Sequence, residues 1–202
     1  MLPRTLLTLF AALTVPLSTA KALNWDESLD GDLSDDGNVP TFITFTEGSN
    51  LISGTMGSLG GTGPLDPDVW LFTIDPGYYL TGISLVGYSA PTSGNQSFMA
   101  IADATTINMS DPSLHLSNGL WTEGLDGFGN TYTDLMAILD AGPEFGGTGF
   151  NGPLAPGNYT FWIQEGSEQI QYTINFEVTP VPEPGSALLL GLTALLMLRR
   201  KR

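Results

Sequence analysis

A regular alternation of apolar and polar side chains between residues 170 and 178 constrains the fold of this chain more than any other feature. Isoleucine, tyrosine, phenylalanine and valine occupy the even-numbered positions, and glutamine, threonine, asparagine and glutamate occupy the odd-numbered ones. Successive side chains of a β-strand point to opposite faces of its sheet. The period of two therefore predicts a strand with one buried face and one solvent-facing side.

Shorter strand-like segments recur along the chain, each bounded by Gly, Pro, Asn or Asp. They cover residues 42–47, 51–56, 69–74, 79–86, 98–101 and 159–163. Only residues 131–139 favour a helix, and that helix is short. Many short strands separated by turn residues predict an all-β fold, a single β-sandwich or jelly-roll-like domain.

The basic residues lie only near the two ends of the chain: Arg4, Lys21, Arg199, Arg200, Lys201 and Arg202. Residues 23–180 contain no Lys or Arg and hold every acidic residue except Glu183. The central part therefore has no cation to pair with nucleic acid, phosphorylated ligands or anionic headgroups, and we expect no nucleic-acid partner. Divalent cations or high ionic strength should favour its folding, unless the acidic residues serve only solubility.

The chain contains no cysteine. This excludes disulfides, cysteine-ligated zinc and a thiol nucleophile. The part of the chain between the two basic ends is long enough for one domain with a substantial core, and too short for two.

Residues 1–22 have the three parts of a secretory signal peptide. Arg4 supplies the positive charge, residues 6–17 form an apolar run, and Ala20 and Ala22 flank an A-x-A-like cleavage site. The run is short compared with the about 20 residues that a membrane span needs. We expect signal peptidase to cleave after Ala22, the alternative being an uncleaved anchor.

Residues 180–202 also divide into three parts. Pro182, Glu183 and Pro184 interrupt regular structure, because proline lacks an N–H group and disfavours helix in the residue before it. Residues 185–198 carry no charge and can form a transmembrane helix. The positive-inside rule keeps the basic tail, residues 199–202, in the cytoplasm.

This ending resembles the PEP-CTERM sorting signal of Gram-negative bacteria. The resemblance implies that an exosortase recognises the tail and removes it at or near Pro182-Glu183-Pro184. It also implies export through the inner membrane, a transient membrane anchor, and a final location at the cell surface or in the extracellular matrix.

A second resemblance covers much of residues 40–178. The segment Asp66-Pro-Asp68-Val-Trp70-Leu-Phe72-Thr-Ile74 is similar to the D-x-D-x-aromatic-x-F-x-V strand of bacterial pre-peptidase C-terminal domains. Residues 154–163 and 172–176 look like the closing strands of those domains. The resemblance implies a jelly-roll-like sandwich with a binding role. Some of its members bind calcium or extracellular matrix.

Residues 26–38 are rich in Asp, Ser, Asn and Gly, which supply the oxygen ligands and loop flexibility that calcium prefers. The candidate calcium ligands here and before the segment 69–74 are Asp30, Asp32, Asp35, Asp36, Asp66 and Asp68. The alternative is a solvated, mobile acidic arm. We accordingly divide the mature chain into an acidic arm, residues 23–40, and a β-sandwich, residues 41–179.

Catalytic signals are weak in this sequence. His115 is the only histidine, lies in a strand-like alternation over residues 113–117, and has no G-x-S-x-G motif near it, so a structural role is expected. Paired carboxylates for glycoside hydrolysis remain an alternative, because acidic residues are abundant.

Trp162 is the candidate sugar-binding residue. If Tyr159, Phe161 and Ile163 face the core, Trp162 lies on the opposite, exposed face of the strand and offers a flat platform to a sugar ring. The alternative is that a second sheet or a loop covers it.

The sequence therefore predicts an exported, non-enzymatic protein with a structural or adhesive role in exopolysaccharide or biofilm. The first alternative is a calcium-dependent carbohydrate-binding module. The second is a secreted glycan hydrolase that uses paired carboxylates.

Overall fold

The computed structural model describes residues 22–58, 63–91, 96–122, 134–166 and 168–181. The signal peptide before Ala22, the Pro182-Glu183-Pro184 motif, the apolar segment 185–198 and the basic tail lie outside these residues. Within the described ranges, no helix combines the length and apolar character needed to cross a membrane.

The described residues form mainly β-strands. The elements in chain order are β1 (Leu23–Asp26), α1 (Glu27–Asp30), β2 (Thr41–Ile43), β3 (Gly48–Gly57), β4 (Asp68–Ile74), β5 (Tyr78–Ser89), β6 (Gln96–Ala102), a 3-10 helix (Pro112–Leu114), β7 (Ser117–Thr122), α2 (Leu135–Asp140), β8 (Gly157–Gln164) and β9 (Gln169–Pro180). Both α-helices are short. The expected all-β class is confirmed.

The strands form two sheets that pack around a common core. The four-stranded sheet has the order β1-β3-β9-β5, and the five-stranded sheet has the order β2-β4-β8-β6-β7. Each sheet has one parallel pair, β1 with β3 and β2 with β4, and antiparallel pairing elsewhere. The two sheets together give the sandwich-like arrangement that the strand pattern predicts.

Strand β9 confirms the alternation found in the sequence. From residue 170 to residue 178 its even-numbered side chains are buried and its odd-numbered ones are more exposed. In the register of the sheet, Ile174 lies opposite Ile52 of β3 and Leu85 of β5. The strand is thus hydrogen-bonded along both edges and supplies an apolar row to the middle of the core.

Aromatic rings join the two sheets. Phe176 of β9 packs edge-on against Trp70 of β4, with ring centroids 5.8 Å apart, and against Phe161 of β8 at 5.3 Å. All three side chains are fully buried. Such contacts add to the large apolar area that aromatic residues bury.

A smaller apolar cluster covers the opposite face of the five-stranded sheet. Trp162 packs there with Val69, Ala100 and Ile107, and Phe98 and Met109 lie at its edge. Both faces of β8 are therefore buried, and the alternation of apolar and polar residues that marks β9 is absent from β8.

The structure differs from the sequence predictions at several places, among them the start of the sandwich and residues 112–114. The sandwich begins at Leu23 rather than at residue 41, because β1 pairs with β3 and Leu33 is buried in the core. Residues 112–114 form a 3-10 helix instead of a strand. The reason is local, since the Asp111 carboxylate accepts a hydrogen bond from the Ser113 backbone N–H at 3.1 Å and Pro112 starts the helix.

We expect Phe176→Ala to lower the free energy of unfolding by about 3–5 kcal/mol, because it opens a cavity between the two sheets. Denaturant unfolding measures the change. Val86→Ala is the control, since Val86 lies on β5 with 61% of its surface exposed and should change stability little. Equal losses in the two variants would contradict the packing described for β9.

Candidate functional site

Carboxylates from separate parts of the chain meet beside the start of β4. Glu27, Asp32 and Asp68 form one group, and Asp32, Asp35 and Asp66 form a second. Within each group, one carboxylate oxygen per residue lies within 4.8 Å of the others. The structure thus brings together Asp32, Asp35, Asp66 and Asp68 of the sequence-predicted residues, and adds Glu27.

The other two predicted ligands, Asp30 and Asp36, lie outside both groups. The Asp30 carboxylate accepts a hydrogen bond from the Asp26 backbone N–H at 2.9 Å. The Asp36 carboxylate accepts one from the Asn38 backbone N–H at 2.8 Å. Both side chains therefore stabilise local turns.

Glu27 connects the N-terminal segment to the four-stranded sheet. One oxygen of its carboxylate accepts a hydrogen bond from the Thr55 backbone N–H at 2.7 Å, and the other accepts one from Leu33 at 3.2 Å. Burial raises the pKa of Glu27, and the negative charges of Asp32 and Asp66 raise it further. The two backbone N–H groups oppose this rise without cancelling it.

Asp68 is the most unusual residue of the site. Its side chain is 0% exposed, and neither carboxylate oxygen has a hydrogen-bond partner among the described residues. Burial, followed by the negative charge of Glu27, raises its pKa to about 9. The Tyr172 hydroxyl approaches closely enough to moderate this rise, but its geometry falls short of a hydrogen bond.

No basic side chain compensates for these buried carboxylates. Lysine and arginine are absent from all the residues that the structure describes. A buried ionised carboxylate without a partner is strongly destabilising. No basic side chain of the described residues can therefore neutralise Asp68, whereas a proton or a cation from solution can.

Gly54 of β3 makes room for this arrangement. A Cβ atom at position 54 would overlap the Glu27 carboxylate and lie 2.8 Å from the Tyr172 hydroxyl oxygen. The absence of a side chain at this position is therefore what allows Glu27 to sit against the sheet.

A groove of about 600 Å³ runs from these carboxylates across the outer face of the four-stranded sheet. We call it the sheet groove. Glu27 and Asp32 lie at its acidic end. Its uncharged polar lining includes Ser53, Thr55, Ser89, Gln171 and Thr173. The Ser53 and Thr173 hydroxyls are hydrogen-bonded to each other at 3.0 Å, which orders the middle of the groove.

The structure does not place Trp162 on an exposed face. Only 6% of its surface is accessible, because Ile107, Met109 and His115 cover it. Its expected role as an exposed sugar platform is thus wrong in this structure, and the alternative of a covering loop is correct.

His115 is a structural residue. It is 1% exposed, and its Nε2 atom lies 2.8 Å from the Asn108 carbonyl oxygen. Its ring packs edge-on against Trp162 at 5.9 Å. The histidine therefore stabilises the loop that covers the five-stranded sheet.

Comparison of the chain with family models, with curated proteins and with solved structures finds no match.

We expect Gly54→Ala to destabilise the protein by about 1–3 kcal/mol, because the new methyl group displaces the Glu27 carboxylate. Thermal unfolding measures the loss. Gly82→Ala is the matched control: position 82 lies on β5 in the same sheet, and its Cβ would meet the nearest atom at an ordinary 3.7 Å. A loss no larger than that of the control would contradict the close approach at Gly54.

In the presence of a chelator, the stability of the protein should fall as the pH rises. Asp68 is protonated in the folded chain up to a pKa of about 9 but ionises near 3.8 when unfolded, so unfolding releases a proton between these values. The slope approaches about 1.4 kcal/mol per pH unit for one proton. We would measure unfolding from about pH 6 to about pH 8, where ordinary carboxyls are already ionised.

Asp68→Asn is the test variant for this slope, because its amide has nearly the same shape and does not titrate. The slope should become clearly shallower in the variant. An unchanged slope would show that general charge repulsion, and not Asp68, produces the pH dependence.

Proposed function

We propose that this chain is an exported, non-catalytic protein with a structural or adhesive role in the extracellular polysaccharide of a Gram-negative bacterium. The observation that carries the proposal is the sheet groove, an open polar surface on the outer face of the four-stranded sheet. Hydroxyl and amide groups on a flat sheet suit the hydroxyl groups of a sugar chain.

Hydrogen bonds between these side chains hold them in place, which supports glycan binding. On the same outer face, the Ser53–Thr173 hydroxyl pair is followed along β9 by Asn175, whose amide oxygen accepts a hydrogen bond from the Ser49 hydroxyl at 2.6 Å. Side chains that are already held in place lose little conformational entropy when a ligand binds. The described residues contain no lysine or arginine, which favours neutral sugars over acidic ones.

Export is proposed from the two ends of the sequence. The signal-peptide pattern before Leu23 supports processing by signal peptidase. The similarity of residues 180–202 to a PEP-CTERM signal supports passage through the inner membrane and processing by an exosortase. The jelly-roll-like sandwich of pre-peptidase C-terminal domains agrees in outline with a two-sheet fold.

A calcium-dependent carbohydrate-binding module is the second candidate. It is favoured by the position of Glu27 and Asp32 at the end of the sheet groove, where a bound ion would contact a sugar. The arrangement offers less support to a hydrolase, since Asp68 is covered and a general acid must reach its substrate.

Replacing Gln171 and Thr173 together by alanine should weaken retention of the protein on the polysaccharide of its own cell by about tenfold, since each lost hydrogen bond contributes about 0.5–1.5 kcal/mol. Affinity electrophoresis in gels containing the polysaccharide measures retention. Thr179→Ala is the matched control, because residue 179 lies on the same face of β9 outside the groove.

Equal retention of the double variant and the control would exclude the sheet groove as the binding surface. Turnover of a glycan that is lost on substitution of a single Asp or Glu would instead support the hydrolase.

A further inference from the structure

We propose that Glu27, Asp32 and Asp68 bind one Ca²⁺ ion, and that this ion fastens the N-terminal segment to both sheets. The site is independent of the glycan-binding role proposed above, because it rests on the carboxylates alone.

The strongest observation is the state of Asp68. Its carboxylate is fully buried, has no hydrogen-bond partner in the described parts of the chain, and points into the group formed with Glu27 and Asp32. In most proteins such a group is paired with a basic side chain or a metal. The described residues contain no lysine or arginine to serve as that partner, whereas a metal ion would leave all three groups charged.

The distances match a calcium ion. The three carboxylate oxygens lie within 4.8 Å of one another. Oxygens bound to one Ca²⁺ at about 2.3–2.6 Å are separated by at most about 5 Å. Magnesium requires shorter bonds of about 2.0–2.1 Å in a regular octahedron and usually keeps several waters, so a site that supplies three protein carboxylates suits it less.

The chemistry of the three ligands also favours calcium. All three are carboxylates, which calcium prefers, and neither histidine nor cysteine is present in the group. Asp32 is exposed and borders the sheet groove, so water can complete the coordination shell from that side. The backbone N–H groups that bind Glu27 fix the orientation of one ligand.

The second group, formed by Asp32, Asp35 and Asp66, is not part of the proposed site. Its members are exposed or half-buried, and exposed acidic residues often lie close together without binding an ion. Their charges nevertheless raise the local concentration of cations beside Asp32.

The proposed ion would connect three elements. Glu27 belongs to α1 and is hydrogen-bonded to β3 of the four-stranded sheet. Asp68 begins β4 of the five-stranded sheet, and Asp32 lies in the loop between α1 and β2. Calcium would therefore hold the two sheets together at this edge.

The test is thermal unfolding and calorimetric titration of the exported chain, in chelator and in calcium at constant ionic strength. For a dissociation constant of about 10⁻⁴ M, about 1 mM free calcium should raise the unfolding midpoint by roughly 3–7 °C. Magnesium at the same concentration should raise it much less. A stoichiometry near one is expected.

Two variants make the test specific. Asp68→Asn should lose the calcium-induced rise while its midpoint in chelator equals or exceeds that of the unmodified protein, because the amide is neutral without taking up a proton on folding. Loss of binding is thereby distinguished from loss of folding. Asp36→Asn removes one charge from the same segment, outside the proposed site, and should keep the full rise.

The proposal would be overturned if Asp68→Asn keeps the calcium-induced rise, or if calcium and magnesium act equally on the unmodified protein. In either case the acidic residues would act only as a diffuse negative surface. Because no glycan is present in these experiments, their outcome does not depend on the proposed function.

Discussion

The packing of Phe176 against Trp70 and Phe161 is the interaction on which the rest of the structure depends. It joins the central strand of one sheet to two neighbouring strands of the other. The chain has no disulfide and the described residues have no lysine or arginine, so apolar burial and backbone hydrogen bonds supply its stability. The sheet groove and the carboxylate site are positioned by strands that this contact holds in place.

The described residues contain no lysine or arginine, and this has different consequences for exposed and for buried carboxylates. On the surface, the many carboxylates are solvated and their repulsion is screened by salt. At Asp68, burial removes that screening, and the free energy of leaving the charge without a partner becomes large. Because Asp68 is buried and the described residues lack basic side chains, this carboxylate requires a proton or a cation to neutralise it.

The sequence predicted several strands, but it indicated which side chains are buried only where the two faces of a strand differ. Strand β9 has one solvent-facing and one buried face, so its sequence alternates between polar and apolar residues. Strand β8 is buried on both faces, so its sequence pattern did not indicate that Trp162 is covered. Strand β1 was missed because it is short and its partner β3 is distant in sequence.

The same reasoning explains the partial prediction of the carboxylate site. Asp30, Asp32 and Asp36 look alike in an acidic segment, but local hydrogen bonds hold the first and third. Glu27 was missed because its role depends on Thr55, which lies 28 residues away, and on the missing side chain of Gly54. Composition indicates which chemistry is available, whereas the tertiary fold selects the residues.

The position of β9 between β3 and β5 also affects the order in which the protein can assemble during synthesis. Strands β3 and β5 precede β9 by many residues, yet each pairs with it and not with the other. Until residues 169–180 have been synthesised, each of them keeps a strand edge unpaired, and such edges promote aggregation. Folding of the four-stranded sheet is therefore a late, nearly all-or-none event, and the earlier strands must stay apart from other chains until it occurs.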